Sequence, residues 1–396
     1  MKNIVYVVDD QPSVLQTTVL LVKNINPKWQ VAGFGTAAEA LTAVKAAAPD
    51  LLLSDQVMPG MLGSELLEQV RAISPSTVRL IMSGHVPLDQ LSLITSAHQY
   101  IAKPFDAGRL ASLVLRTLKA HERMQDNGLL EVVTALRSIP SLPQVYHSLL
   151  AELEDIRGPG AVIARLVSED AGLSAKVLQL ANSPLFGRGN LVSNPIEAVL
   201  CLGTEMIKSI VLAQTLFKHY SILKDPDVDL PRVWAHCWEV AQLAQRLCRE
   251  KGLSASQGEE AFLAGLLHEI GRFVLVDNFP DRFHAACLAA RVTKTPLMPN
   301  LRETFQATPG GIAAYLLDLW GMPDSVIQGI MWIDHPEQEN SSEFSVLSAL
   351  YIADQLACRK SPPDPFGVSE WNTEYLQKIG CAEDVAVWGK NGRTGE

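Results

Sequence analysis

Two sets of residues in this chain have the types and spacing that do chemistry. The first is acidic. Asp9 and Asp10 close the apolar run IVYVV, and Asp55 closes LLLS; Ser83 and Lys103 close two later runs, VRLIM and QYIA. Three carboxylates brought together repel one another unless a cation sits among them. Oxygen-only ligands at a shallow edge suit Mg2+, which keeps several of its waters. A lysine and a small hydroxyl opposite them would meet a phosphoryl group. This describes a carboxylate that accepts a phosphoryl group while metal and lysine neutralise charge.

The second set centres on LLHEIGRF, residues 266–273, where His268 stands beside Glu269 in an apolar run. His236 in VWAHCWEVAQLAQRL, His335 in IDHPE and Asp354 in YIADQLA could join it. Histidines and acids on separate helices of a bundle suit a transition metal. Neighbours on one helix point about 100° apart, so His268 and Glu269 share an ion only if it sits over the helix between them. The bland reading of a histidine on an apolar helix is a satisfied core residue, and His219 and His284 read as fillers. The stripe Trp234, Trp238, Phe262 and Phe273 reads as core.

Different elements must position the two sets. In the first third, 4–8, 30–34, 51–54, 78–82 and 99–102 read as strands, with helical patterns over 12–25, 36–48, 62–72 and 87–97. A further helix runs from about Asp106, its N-cap, to about Met124. Five β-α units predict a doubly wound parallel sheet, whose sites lie at the carboxyl ends of the strands. Beyond residue 129 the strand signals fade. Helical patterns cover 129–137, 143–155, 159–168, 172–181, 194–200, 203–220, 231–251, 256–276, 279–292, 301–319, 323–334 and 343–359. LSAKVLQLANSPLF reads as a buried helix with an Asn–Ser–Pro stop. SPPDP and GKNGRTGE predict a loosely held tail from 360, with one short helix around 370–379.

The runs VVDDQPSV, SDQVMPGMLGSELL, MSGH and YIAKPF, in that order, resemble the receiver domain of two-component response regulators, over about residues 1–123. The resemblance implies that Asp55 is the phosphoacceptor. It implies Mg2+ held by Asp10, Asp55 and the Val57 carbonyl, with Asp9 helping through water. Ser83 and Lys103 would contact phosphoryl oxygens, and Tyr100 would be the aromatic that turns when Ser83 moves. The partner it implies is a histidine kinase.

A second resemblance rests on SIPSLPQVYHSLL, VIARLVSEDAGLSAKVLQLANSPLFG, NPIEAVLCLGTEMIKSIVLAQTLF, HCWEVAQLA, GLLHEIGRFVL and DLWGMPDSVIQGIMWIDHP. These are similar to the HDOD domain, a helical relative of HD-type phosphohydrolases. The chain departs from active HD enzymes at several points. His268-Glu269 stands for His-Asp, Arg272 for the usual lysine, no histidine lies near Thr308, and no GYP follows His335. His236, His268, Glu269 and Asp354 remain as a vestigial metal site. Three readings follow: a non-catalytic binding module, a retained transition metal that stabilises the bundle or supports ligand binding, and an active phosphohydrolase for a nucleotide or cyclic dinucleotide.

The expected organisation is a receiver at 1–123, a linker at 124–142, an all-α HDOD module at 143–345, and a C-terminal helix and tail at 346–396. Leu110, Leu113, Val114 and Leu118 give the helix at 106–124 an apolar stripe, for homodimerisation or for packing on the receiver sheet. Net charge is −10 overall. Residues 1–123 carry 11 Lys+Arg against 10 Asp+Glu; the remainder carries 22 (33 − 11) against 33 (43 − 10). An acidic output half argues against DNA binding, which needs a basic face, and no helix-turn-helix, GGDEF or EAL run appears. The output is therefore read as contact with a protein target. No apolar run approaches the ~18–20 residues of a membrane span, and MKNIVYVVDDQPS is not a signal peptide, so the expected location is the cytoplasm. The six cysteines form no CxxC pair, which predicts reduced, mostly buried thiols.

Overall fold

The computed structural model describes residues 3–84, 97–123, 127–136, 167, 171–182, 192–220, 225–339, 341–361 and 368–391. It divides into two compact units, one of 1–141 with 315–322, the other of 142–314 with 323–396. Predicted helices at 87–97, 143–155 and 159–168 lie wholly or almost wholly outside the described residues.

The N-terminal sheet is parallel, with strands β1 (Ile4–Val8), β2 (Gln30–Phe34), β3 (Leu51–Asp55), β4 (Val78–Ser83) and β5 (Gln99–Ala102) in the order β2-β1-β3-β4-β5. Helices α1 (Pro12–Ile25), α2 (Ala37–Ala46), α3 (Gly63–Ile73) and α4 (Ala107–Arg123) cover it. Successive strand residues face opposite sides. Val5, Val7, Leu51, Leu53, Leu80, Met82 and Ile101 therefore pack with α1 and α4, while Tyr6, Val8, Leu52 and Ile81 pack with α2 and α3. Both faces are dry, which is why these strands read as unbroken apolar runs. Leu110, Leu113, Val114 and Leu118 of α4 are all at most 6% exposed and belong to this core. The stripe is thus spent inside the unit, which is the second of the two roles expected for it, packing on the receiver sheet.

The strand order reverses between β1 and β3, and a crevice forms there outside the carboxyl ends. Asp9 and Asp10 leave β1, and Asp55 is the last residue of β3, in register with Met82. Ser83 ends β4 opposite Ala102, and its carbonyl accepts from the Lys103 N–H at 2.7 Å. The sheet register itself gathers the acidic set.

Among the described residues the rest is helical. After α5 (Asn127–Ala135) come α6 (Ala171–Ala181), α7 (Pro195–Leu202), α8 (Thr204–Tyr220) and α9 (Leu230–Glu250). They are followed by α10 (Ala255–Leu267), α11 (Ile270–Asn278), α12 (Pro280–Thr293), α13 (Leu297–Phe305), α14 (Pro309–Trp320) and α15 (Asp324–Met331). The last three are α16 (Val346–Lys360), α17 (Thr373–Lys378) and α18 (Asp384–Asn391). Helix α9 packs against both α10 and α16. Its start is fixed by Asp229, which accepts from the Arg232 N–H, and by Pro231 in the first turn. A reciprocal Ser254–Gln257 box starts α10. Phe217, Tyr220, Trp234, Trp238, Phe262 and Phe273 interleave with ring centroids 4.5–6.0 Å apart, so the aromatic stripe is core.

Three expectations are corrected here. The helix predicted over 256–276 breaks at His268–Glu269. A Cβ on Gly265 would lie 2.4 Å from Ala241 Cα, and one on Gly271 would lie 1.9 Å from the Pro309 carbonyl oxygen. Two backbones therefore press on this segment from either side of the break, α9 before it and α14 after it. The helix predicted over 301–319 breaks at Gln306, which takes a left-handed conformation (φ 54°). The C-terminal region is not loosely held over 368–391. Tyr375, Leu376, Cys381 and Trp388 are buried, and the Tyr375 hydroxyl lies 2.7 Å from the Ser348 hydroxyl of α16.

Candidate functional site

In the acidic crevice, Asp9 is fully buried and accepts from the Gln11 N–H at 3.0 Å. Lys103 reaches across, donating from Nζ to Asp9 Oδ2 at 2.6 Å and to Asp55 Oδ1. Asp55 Oδ2 accepts from the Val57 N–H at 2.8 Å. Burial opposes the charge on Lys103, but its bonds to Asp55 and Asp9 and their negative charge raise its pKa above the ordinary lysine value. The lysine thus stays cationic. Asp10 contributes a buried Oδ1 with no hydrogen-bond partner. A buried carboxylate oxygen without a partner, just past the strand next to the one that Asp55 ends, offers the oxygen chemistry that a hard divalent cation takes, so the residue types fit Mg2+. Ser83 is buried at the end of β4. Tyr100 stands in β5 opposite Ile81, and its side chain lies outside the described part of the structure.

The second set assembles from three helices. His236 lies mid-α9, His268 ends α10, and Asp354 lies mid-α16. His236 Nε2 is 3.0 Å from Asp354 Oδ1, and His268 Nε2 is 3.3 Å from His236 Nε2 and 3.6 Å from Asp354 Oδ1. His268 Nδ1 sits 2.8 Å from the Gly265 carbonyl and can only donate to it. That fixes the ring so that Nε2 faces its neighbours. Burial would lower the His268 pKa, but the Asp354 hydrogen bond and the charges of Glu269 and Asp354 outweigh it and raise it. Burial would raise that of Asp354, yet the bonds to His236 and His268 hold it far below the carboxylate range. Both shifts describe a carboxylate locked between two imidazoles.

Glu269 approaches the same group, with a ligand oxygen within 4.8 Å of the ring nitrogens of His236 and His268. Its Oε1 is 4.0 Å from His268 Nε2, and its Oε2 is 3.7 Å from the fully buried Arg272. Because His268 and Glu269 occupy a turn, the helical argument about their angular separation does not apply to them. His335 is not with the others. Its Nε2 is 2.7 Å from Arg302 Nη1, and its Nδ1 is 3.3 Å from Glu337.

Sequence reasoning missed Asp334, the neighbour of His335. Burial, then the negative charges of Asp354 and Glu269, push its carboxyl up to about 7. Asp334 also lines a cavity of about 420 Å³ with Met298, Arg302, Gln306, Thr308 and His335. The signal was the acid beside His335 in IDHPE. A third grouping was also missed: His284 Nε2 is 2.8 Å from Asp225 Oδ2, and Arg291 pairs with Asp227. None of the six cysteines is in a disulfide, and Cys237, Cys248, Cys287 and Cys381 are buried. No helix among the described residues is long and apolar enough to cross a membrane.

Comparison with known proteins adds the following. Residues 5–115 match the response regulator receiver domain, and residues 139–336 match the HDOD domain. The DNA-binding transcriptional regulator NtrC of Escherichia coli K12 is 35% identical over 126 residues, 31% of this chain and 26% of NtrC. The DNA-binding response regulator MtrA of Mycolicibacterium smegmatis is 31% identical over 123 residues, 31% of this chain and 53% of MtrA. The chain thus spans about a quarter to a half of the length of these curated relatives. An HDOD domain protein from Geobacter sulfurreducens aligns with TM-score 0.55 at 18% identity, over 69% of this chain and 95% of that one. A candidate signal transduction protein from Marinobacter aquaeolei VT8 aligns with TM-score 0.51 at 18% identity, over 89% of this chain and 81% of that one. At such identity the two structures establish the fold alone.

Proposed function

The chain belongs to the HDOD family and carries a response regulator receiver domain ahead of that module; we propose that it is a cytoplasmic response regulator whose Asp55 accepts a phosphoryl group from a histidine kinase. The observation that carries this reading is Lys103 spanning Asp9 and Asp55 while Asp10 Oδ1 is left without a partner. In the transfer, an Asp55 carboxylate oxygen forms a bond to phosphorus as the P–N bond of the kinase phosphohistidine breaks. The imidazole leaves with the electron pair. Lys103 offsets the charge that builds on the phosphoryl oxygens, and the Val57 N–H holds the carboxylate in place. Asp10, Asp55 and the Val57 carbonyl would hold Mg2+, with Asp9 through water; the ion supplies electrostatic stabilisation of the same oxygens.

Ser83, at the end of β4, would meet the acyl phosphate, and Tyr100 in the adjacent strand would turn in response. Coupling of this kind is worth about 1–3 kcal/mol, enough to gate a partner. The HDOD module then changes its contacts with a protein target rather than with DNA, in keeping with its acidic balance. Incubation with acetyl phosphate and Mg2+ should add one phosphoryl mass to the wild type and none to Asp55→Asn. Equal labelling of the two overturns the assignment.

A second reading has a specific observation in its favour. His236, His268 and Asp354 still converge as metal ligands do, and Asp334 links their surroundings to a cavity of about 420 Å³. A retained transition metal there, with or without phosphohydrolase activity on a nucleotide or cyclic dinucleotide, predicts stoichiometric metal in the purified protein. Metal content that survives His268→Ala with Asp354→Ala rejects it.

A further inference from the structure

The grouping of His284 with Asp225 and Asp227 shares no residue with the acidic crevice or with the His–Asp cluster. It joins the turn that leads into α9 to one side of α12. Ligand atoms of Asp225, Asp227 and His284 all lie within 4.8 Å of one another. His284 and Arg291 stand seven residues apart on α12, two turns along the same face, and each takes one of the two aspartates.

The carboxylates are oriented by other contacts before an ion is considered. Asp225 Oδ1 accepts from the Asp227 N–H at 2.8 Å, and Pro226 between them stiffens the turn. That leaves Asp225 Oδ2 for His284 Nε2, 2.8 Å away. Arg291 holds Asp227 Oδ1. Asp227 Oδ2 stands 3.9 Å from the same His284 Nε2, beyond hydrogen-bond reach. Among the described residues it accepts no hydrogen bond, although the Asp227 side chain is only 9% exposed.

A neutral imidazole carries at most one proton on Nε2, and that proton serves Asp225 alone. Two carboxylates against one guanidinium leave a negative charge over. A divalent cation in place of the proton would satisfy both carboxylates and the ring nitrogen at once. Tetrahedral zinc, with bonds of about 2.0–2.2 Å to N and O, sets its ligand atoms about 3.3–3.6 Å apart. The observed 2.8 and 3.9 Å lie on either side of that range, so small shifts of the two carboxylates form the site. A mixed set of imidazole and carboxylates suits a borderline ion of this kind. His284 keeps 38% of its side chain exposed, which lets water take the fourth position.

We propose that Asp225, Asp227 and His284 bind one Zn2+, with water as the fourth ligand, as a clasp between the turn before α9 and α12. Asp229, two residues beyond Asp227, caps α9, so the ion steadies the start of that helix. The proposal is independent of whether the His–Asp cluster holds a metal.

The test uses the full chain, stripped of metal by a chelator and kept in excess Mg2+ so that the receiver crevice does not compete for zinc. Histidines are modified with diethylpyrocarbonate and read peptide by peptide in a mass spectrometer. Saturating Zn2+ should protect His284 while leaving His219, an exposed histidine on α8, as reactive as before. Asp227→Asn keeps an oxygen for Arg291 and removes the ligand charge. It should raise the zinc concentration for half protection of His284 by at least about 100-fold, since even partners outside the coordination shell cost about 10–100-fold. His268→Ala should leave the protection of His284 unchanged. Modification of His284 that is equally fast with and without zinc overturns the proposal. So does protection that persists undiminished in Asp227→Asn, which means the histidine holds zinc alone, or protection that vanishes in His268→Ala, which means the ion sits at the His–Asp cluster.

Discussion

The acidic crevice of the sheet and the His–Asp cluster of the bundle are built from opposite materials. The crevice uses oxygen ligands and a lysine, all at or just beyond strand ends, and Lys103 and Asp55 keep 18% and 12% of their side chains exposed. The cluster uses imidazoles that are 1% and 4% exposed, set in helix interiors or at a helix junction. Charge in the crevice is balanced by one lysine shared between two carboxylates. Charge in the cluster is balanced by hydrogen bonds between two buried imidazoles and Asp354, whose side chain keeps 18% of its surface exposed. The first arrangement suits a reaction that must begin and end many times. The second suits an attachment point.

The largest effect that would sharpen this contrast comes from Lys103→Ala. Losing a preorganised cation at the phosphoryl oxygens should slow acquisition of phosphate from acetyl phosphate by about 10²–10³-fold, with unfolding of the helical unit unchanged. A rate within threefold of wild type would mean the lysine serves only to hold Asp9 and Asp55. The complementary break is Gly271→Ala. Its Cβ would meet the Pro309 carbonyl oxygen at 1.9 Å and Ala313 N at 3.0 Å, contacts that only backbone movement can relieve. Denaturant unfolding should show a loss of about 3 kcal/mol, the upper end for overpacking, while Asp55 is labelled at the wild-type rate. Gly258→Ala is the control, because its Cβ meets only Gln245 Cγ at 3.6 Å. That helix position should be neutral or gain up to about 1 kcal/mol. Equal effects of the two substitutions would remove the packing argument.

The two regions also differed in how far their sequence could be read. In the sheet, alternation of apolar runs with polar strand ends sets both register and site, because the residues that do chemistry are the ones that stop the strands. Asp55 and Ser83 each fall at the last position of a strand for that reason. In the bundle the decisive contacts are between backbones far apart in sequence. Nothing local in LLHEIGRF shows that Pro309 presses on Gly271, so the break at His268–Glu269 was hidden and the two residues were placed on one helix. His335 was favoured over Asp334 by residue type, yet Arg302 and Glu337 claim it.

The smallest effect concerns the C-terminal region, where Pro and Gly content suggested a loose tail. Tyr375 is fully buried, and its hydroxyl meets that of Ser348, also fully buried, on the helix that carries Asp354. Asn372 caps α17 by accepting from the Tyr375 N–H, while its own N–H donates to the Tyr351 hydroxyl at 2.7 Å. Tyr375→Phe keeps the ring and removes one hydrogen bond. Ser348 Oγ still accepts from the Ser345 N–H at 3.2 Å, so it is not orphaned and the cost should be about 1 kcal/mol. That is about a fivefold rise in local opening, read as faster amide exchange over 373–391. The crevice should not register it at all. If exchange there were already fast in the wild type and unchanged in the variant, the segment would be the loose tail its composition suggested. Helix α16 would then hold its side of the His–Asp cluster without support from the chain that follows it.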